Sequence, residues 1–234
     1  MPLPEFMTTR DVAQMFEQEI EGLGGSVSDR FDDRGCRLFM RSVLPGEREV
    51  RSGDALRGGV AMMADEREIR LHPYVFRVVC SNGAIMAHAI ETRRIEIPTM
   101  PSEVEYVAST LREAVRACGS PGTFARSTGE IRSAVEADVD MALAMMPMLS
   151  RLGDLAGADA IGIIMRRYLE GADRSRFGLM NAVTSVARDT RDPESRWRLE
   201  ELGGGIPSAL EPVAPRRTGG AAMPLPQRGE LVTA

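Results

Sequence analysis

Three side chains capable of chemistry stand close together in this sequence: His72, Cys80 and His88. Imidazole and thiolate are the ligands that zinc prefers, and Cys80 beside either histidine would be the one conceivable pair of nucleophile and base. No C-x-x-C occurs, the spacing fits no zinc finger, and no G-x-S-x-G motif marks a nucleophile. We therefore predict two polar side chains and a packed thiol here, with no metal, no cofactor and no catalytic residue.

The basic side chains exclude several further chemistries. All 29 positions of the lysine and arginine class are arginine, so the chain contains no lysine. A phosphate-binding loop of the G-x-x-x-x-G-K-[ST] type and a Schiff-base enzyme both require a lysine, and both are excluded. What the chain offers is guanidinium groups, which suit carboxylates, phosphates and stacked bases.

The arginines are unevenly distributed along the chain. Between residues 166 and 198 they outnumber the acidic residues, although the whole chain carries a net charge of −5. An anionic partner would therefore meet a local patch rather than the field of the whole protein. Solvated helix faces with internal ion pairs are the alternative interpretation. The candidate contacts to nucleic acid are Arg77, Arg93, Arg94, Arg188 and Arg191.

Length and composition favour one domain over residues 1–205. The chain has 234 residues, of which 43% are hydrophobic, enough for a sizeable core. No run approaches about eighteen apolar residues, and the N-terminus lacks the pattern of a signal peptide, so we predict a cytoplasmic protein without membrane contact. The three cysteines, Cys36, Cys80 and Cys118, stand at wide and irregular spacing, which predicts buried, reduced thiols.

The first half of the chain predicts a sheet-rich region over residues 26–97. An amphipathic helix covers residues 8–22, with Thr8 as its N-cap. Three strands follow between residues 36 and 72, because charged and apolar residues alternate there. Pro73 is suited to open a short helix that Asn82-Gly83 would end in a left-handed conformation, before strands at 84–91 and 93–97.

The second half predicts a helical region over residues 102–202. Ser102 and Glu105 form a capping box for the first of these helices. Helices are also expected at 129–150, 158–170, 175–188 and 193–202, followed by a disordered Pro- and Gly-rich tail at 206–234. The predicted fold class is α+β, with a small, mostly antiparallel sheet packed against a mainly helical C-terminal half.

Two stretches, "DEREIRLHPYVFRVVCSNGAI" and "SRFGLMNAVTSVARDTRDPESRWRLEELGGGI", resemble the domain-of-unknown-function 932 family of phage/plasmid-like proteins. The resemblance implies a mobile genetic element as context and assigns no activity to any residue. Many members carry an aromatic and acidic or histidine-containing stretch after "NAVT", where this chain has residues 185–189. The matching residues are Phe76, Arg77, Val79, Cys80, Ser81, Asn82, Gly83, Phe177, Asn181, Ala182, Val183 and Thr184.

Two hypotheses of function lead, neither of them an enzyme, and an enzyme ranks third. The first is a single-stranded DNA binding or annealing accessory of a mobile element, in which the arginines contact phosphates. Aromatic residues make up only 5% of the chain, which weakens this hypothesis because base stacking contributes much of such binding. The second is a protein-interaction or regulatory module, or a homo-oligomer, whose Met-rich helix 129–150 offers an adaptable groove.

Overall fold

The computed structural model describes residues 6–139 and 157–209, and these form an antiparallel sheet with helices on both faces. The strands are β1 Ser26–Asp32, β2 Leu38–Val43, β3 Glu47–Arg51, β4 Asp54–Ala64, β5 Glu68–Arg77, β6 Asn82–Ile85 and β7 Arg93–Glu96. The helices are α1 Thr9–Gly22, α2 Val104–Cys118, α3 Pro121–Val135, α4 Gly157–Glu170, α5 Arg176–Asp189 and α6 Pro193–Ala209. The α+β class is confirmed, with most of the described helices in the C-terminal half.

The sheet has the order β1-β2-β4-β5-β6, and β3 and β7 join it by pairing with β4 and β5. Side chains alternate between its faces, as the period of two residues in a strand requires. One face packs against α1 and α2 through residues such as Leu38, Met40, Met62 and Leu71. The opposite face packs against α6 through Phe39, Ala61, Met63 and Tyr74, with Trp197 among them.

The N-cap Thr8 at the start of α1 is confirmed, and it forms a capping box with Asp11. The Asp11 backbone N–H donates to Thr8 Oγ1 at 3.3 Å, and the Thr8 backbone N–H donates to the Asp11 carboxylate at 2.8 Å. The capping box at Ser102 and Glu105 is wrong, because a 3-10 turn over Pro101–Glu103 precedes α2. Its carboxylate, Glu103, accepts from the backbone N–H groups of residues 99 and 100.

The helix predicted from Pro73 is also wrong, because Pro73 lies inside strand β5. In a strand, the N–H and C=O of one residue point to the same side, and Pro73 O accepts from Met86 N on the side of β6 and β7. There β6 pairs with residues 74–77 and β7 with residues 68–71, so position 73 falls in the gap between them. The N–H that Pro73 lacks would point away from β4, so the pairing of β5 with β4 is unbroken at this position and prevails over the local helix signal.

The turn between β5 and β6 also differs from the prediction. The left-handed residue is Ser81, with φ of 53°, whereas Asn82 and Gly83 belong to strand β6. Glycine stands at position 83 for a different reason, since a Cβ there would overlap the Tyr74 hydroxyl on the adjacent strand. Strand β6 ends at Ile85, well short of the predicted 84–91, while the strand at 93–97 is confirmed as β7.

Among the helices, α4 and α5 confirm the predicted 158–170 and 175–188 within one residue. The long helix predicted at 129–150 is wrong in the part that can be compared, because α3 starts at Pro121 after the N-cap Ser120 and stops at Val135. Residues 140–150 of that prediction, including its methionines, lie outside the described residues.

The predicted tail begins too early, because α6 continues through the glycines to Ala209. A Cβ on Gly204 would overlap the backbone of Ile85, and one on Gly203 would overlap the Thr184 side chain. These glycines therefore allow α6 to approach β6 and α5 closely, and they do not end the helix. Ile206, only 6% exposed, packs into the core, and residues 210–234 lie outside the described part of the chain.

Candidate functional site

A cleft of about 300 Å³ lies between the end of strand β5, the start of β6 and helices α4 and α5. Its position results from the β5–β6 hairpin, which carries the "CSNG" residues to helix α5, where the "NAVT" residues lie. The two stretches that carry the family resemblance therefore meet at one place in the fold. The polar side chains that line the cleft include Arg51, Arg77, Asn82, Arg167, Asn181 and Arg188.

Two of the arginines that line the cleft are held by one shared, buried carboxylate. Arg77 donates to both oxygens of Asp54, each at 2.6 Å. Arg51 donates to Asp54 at 3.2 Å and to Asp173 at 2.7 Å. Both guanidinium groups lie over the ring of Phe177, with Cζ 5.1 Å and 5.2 Å from its centroid. The aromatic residue that precedes "NAVT" thus fixes arginine planes by cation–π contact.

The other two arginines flank the mouth of the cleft and share Asp189. Arg167 donates to Asp189 at 2.8 Å and Arg188 donates to it at 3.0 Å. These hydrogen bonds, first from Arg188 and then from Arg167, lower the pKa of the Asp189 carboxyl. Arg188 also donates to the backbone oxygen of Cys80 at 2.8 Å, which joins α5 to the β5–β6 turn. Four guanidinium groups thus meet three carboxylates, and one positive charge is left in excess.

Asn82 and Asn181 are the only two asparagines in the whole sequence, and both line this cleft. Asn82 is 3% exposed. The Oδ1 atom of each is buried and accepts no hydrogen bond within the described residues. A buried acceptor without a donor costs about 1–3 kcal/mol, so such atoms are uncommon where no ligand or water is to be bound.

The other candidate arginines lie away from the cleft. Arg93 and Arg94 stand on strand β7, where Arg93 donates to the backbone oxygens of residues 90 and 92. Arg191 is exposed between α5 and α6 and has no partner within 6–139 or 157–209. The arginine-rich run at 166–198 divides further, since Arg196 does not line the cleft and pairs with Asp29 of strand β1 at 3.0 Å. The structure therefore brings Arg77 and Arg188 together and separates the rest.

His72, Cys80 and His88 do not converge. His72 is buried with its Nδ1 3.2 Å from Thr92 Oγ1, His88 Nε2 lies 2.7 Å from the Glu130 carboxylate, and Cys80 Sγ accepts from Arg77 at 2.9 Å. No group of three His, Cys, Asp or Glu side chains is placed to hold a metal within the described residues.

The cysteines are free thiols, and only one of them is buried as predicted. Cys118 is buried, which raises the pKa of its thiol to about 12. The prediction is wrong for Cys36 and Cys80, which are half-buried. Cys80 is partly exposed because it belongs to the β5–β6 turn and lines the cleft.

The remaining motif residues have packing roles. Phe76 packs beside the cluster around Trp197, and Gly83 makes room for Tyr74. Thr184 is buried on the side of α5 that faces α6, and its hydroxyl donates to Met180 O at 3.0 Å. None of these three lines the cleft.

A buried ionic cluster between the sheet and α6 escaped the sequence analysis. Arg41 and Glu200, each with a side chain 1% exposed, are joined at 2.6 Å, and Asp29 and Arg196 complete the cluster at 3.0 to 3.1 Å. Burial raises the pKa of Glu200 against the opposing effect of the two arginines. Its signal in the sequence is Arg41, which shares a face with Phe39 in a strand that is buried almost throughout.

Comparison of the chain with family models, with curated proteins and with solved structures finds no match in any of the three. The resemblance to the domain-of-unknown-function 932 family therefore stays a prediction from the two motifs. In the described ranges, no helix has both the length and the apolar character needed to cross a membrane.

Proposed function

We propose that this protein binds single-stranded nucleic acid, in the first place DNA, as a non-catalytic accessory of a mobile element. The observation that carries the proposal is the cleft in which Arg77, Arg188 and both asparagines meet, although they come from segments about a hundred residues apart in the chain. The mobile-element context rests on the motif resemblance alone.

The charges around the cleft support binding of a polyanion. The excess positive charge sits in a chain of net charge −5, so the attraction is local. Arg188 is the side chain best placed for a phosphate, because it is exposed and its partner Asp189 is also held by Arg167. A phosphate that takes Arg188 leaves no carboxylate unpaired.

The size of the cleft sets how much of a strand it can hold. A volume of about 300 Å³ is at the lower end for small-ligand sites and suits one nucleotide, not a run of several. The neighbouring nucleotides would leave the cleft at Arg188 and continue toward Arg191, which lies outside the cleft, is exposed and has no partner within the described segments. Because aromatic residues are scarce, we expect phosphate contacts to dominate the affinity.

The proposal is tested by fluorescence anisotropy with a labelled oligothymidylate between about 50 and 200 mM salt. Each phosphate contact that is removed lowers the slope of log affinity against log salt by about 0.7. Replacing Arg188 and Arg191 together with glutamine should lower the slope by about 1.4 and weaken binding.

The matched control replaces Arg112 and Arg116 with glutamine. Both stand on α2, pair with Glu105 and Glu19, and lie away from the cleft. In this variant the slope of log affinity against log salt should differ from that of the unmodified protein by less than about half of the contribution of one phosphate contact. Absence of binding at the lowest salt, or an equal loss of slope in both variants, would contradict the proposal.

A further inference from the structure

We infer that the cleft recognises a base and that the base is guanine, so that the bound nucleotide is selected and not merely held by its phosphate. The inference rests on the proposed function and deepens it. It is carried by the two asparagines, whose amide oxygens are both buried beside the same cleft without a donor.

The carboxylates of the cleft are already satisfied, whereas the amide oxygens are not. Asp54, Asp173 and Asp189 each accept hydrogen bonds from arginines within the described residues. A ligand that satisfies these oxygens must offer hydrogen-bond donors, and within a DNA strand the donors are the N–H groups of the bases, since the phosphate and sugar-ring oxygens are acceptors. The terminal torsion of asparagine is broad, so each amide can turn toward the cleft without movement of the backbone.

Among the common bases, guanine presents the donors that two acceptors require. Its Watson–Crick edge carries an N–H beside an amino group, whereas thymine offers a single N–H and adenine and cytosine offer an amino group alone. Its other edge carries two acceptors, O6 and N7, which arginine binds in a bidentate manner. The cleft holds acceptor amides and guanidinium groups together, which matches both edges of guanine.

Base and phosphate recognition use different parts of the cleft. Asn82 stands on strand β6 and Asn181 on helix α5, and both are more buried than Arg188 at the mouth. The base would enter between β6 and α5, and its phosphate would stay at the mouth with Arg188. Loss of base selection and loss of phosphate contact can therefore be separated by substitution.

The test compares two oligothymidylates that carry one central guanosine or one central inosine, which differ by the single amino group. With the unmodified protein, the guanosine strand should bind roughly tenfold tighter, and guanosine monophosphate should compete better than inosine monophosphate by a similar factor. Asn181→Leu, which keeps the size of the side chain but removes the acceptor, should abolish both preferences and retain binding of plain oligothymidylate. Asn181→Asp, which keeps acceptor oxygens, should keep the preference, and thermal melting confirms that each variant is folded.

The outcomes separate the two proposals. Binding of oligothymidylate without preference for guanosine overturns the base pocket and leaves strand binding in place. A preference that is unchanged in folded Asn181→Leu also overturns it. If no strand binds, and direct titration shows that neither monophosphate binds, the base pocket and the proposed function are both overturned. Selective binding of guanosine monophosphate without strand binding supports the pocket and overturns only the proposed function.

Discussion

His72 is the residue whose environment has the clearest consequence for pH. Burial, with the positive charges of Arg70 and Arg94, lowers the pKa of its imidazole from 6.5 to about 4. Trp197 packs against the ring, and the Glu201 carboxylate lies 3.6 Å from Nε2. The folded protein therefore holds the neutral imidazole over a range in which the unfolded chain binds a proton.

This difference predicts acid sensitivity in a defined window. Because the unfolded state binds more protons, the free energy of unfolding should fall as the pH drops from about 6.5 to about 4, by a few kcal/mol in order of magnitude. Urea unfolding at a series of pH values measures the loss. In His72→Gln the same window should be flatter, and an identical pH profile in the two proteins would show that His72 is not its origin.

Gly83 is the second residue with a direct prediction. Because a Cβ would overlap the hydroxyl of buried Tyr74, Gly83→Ala should cost about 1–3 kcal/mol of stability. Gly129→Ala is the control, since this glycine lies inside α3 with open space around it. That change should stabilise the protein by about 0.5–1 kcal/mol. Chemical denaturation of both variants measures the effects, and equal stability of the two would refute the packing explanation.

At the level of elements, the end of α6 carries a prediction that distinguishes a helix from a tail. Ile206 packs against the core formed by α3, α4 and α5, so Ile206→Ala should cost about 2–5 kcal/mol. Arg198→Ala on the same helix removes only an exposed ion pair with Glu194 and should cost less than about 1 kcal/mol. Thermal melting separates these values, and an unchanged melting temperature for Ile206→Ala would mean that this turn of α6 does not dock.

Elements with a strong apolar period were predictable from the sequence. Helix α1, strands β2, β4 and β5, and helices α4 and α5 belong to this group, because each buries one regular stripe or a continuous apolar run. Strands β1 and β3 were not predicted, since both are largely exposed edge pairings with mostly polar residues. Proline and glycine also gave wrong predictions of helix starts and ends where tertiary packing prevailed, at Pro73 in β5 and at the glycines of α6.

At the scale of the whole molecule, the buried cluster around Arg41 and Glu200 ties α6 to the sheet. Removal of one partner leaves an uncompensated buried charge, so Glu200→Leu should cost about 3–5 kcal/mol. Replacement of both, as Arg41→Met with Glu200→Leu, should cost less than the single change. A double-mutant cycle by chemical denaturation measures the coupling, and additive single and double losses would contradict it.

The candidate site was predictable only in its parts. The sequence indicated Arg77, Arg188 and the two motifs, but no pattern relates positions that are far apart in the chain until the β5–β6 hairpin meets α5. The pairing of arginines with Asp54 and Asp189 was equally hidden, because acidic residues in the sequence do not reveal their partners. The abundance of arginine was therefore evident from the sequence. The division of these arginines among the cleft, strand β7 and the cluster on α6 could not be predicted from it.

The place of Asn82 in strand β6 also bears on how the protein ages. Asparagine followed by glycine is the pair most prone to deamidation, because the Gly83 nitrogen can attack the side-chain amide when the backbone is free to bend. Extended pairing with β5 and near-complete burial hold Asn82 away from that geometry. The folded chain should keep its amide in storage while the denatured chain converts it to a carboxylate. A sample that had once unfolded and then refolded would carry a negative charge in the cleft. The carboxylate at position 82 would thus show that the protein had been unfolded earlier.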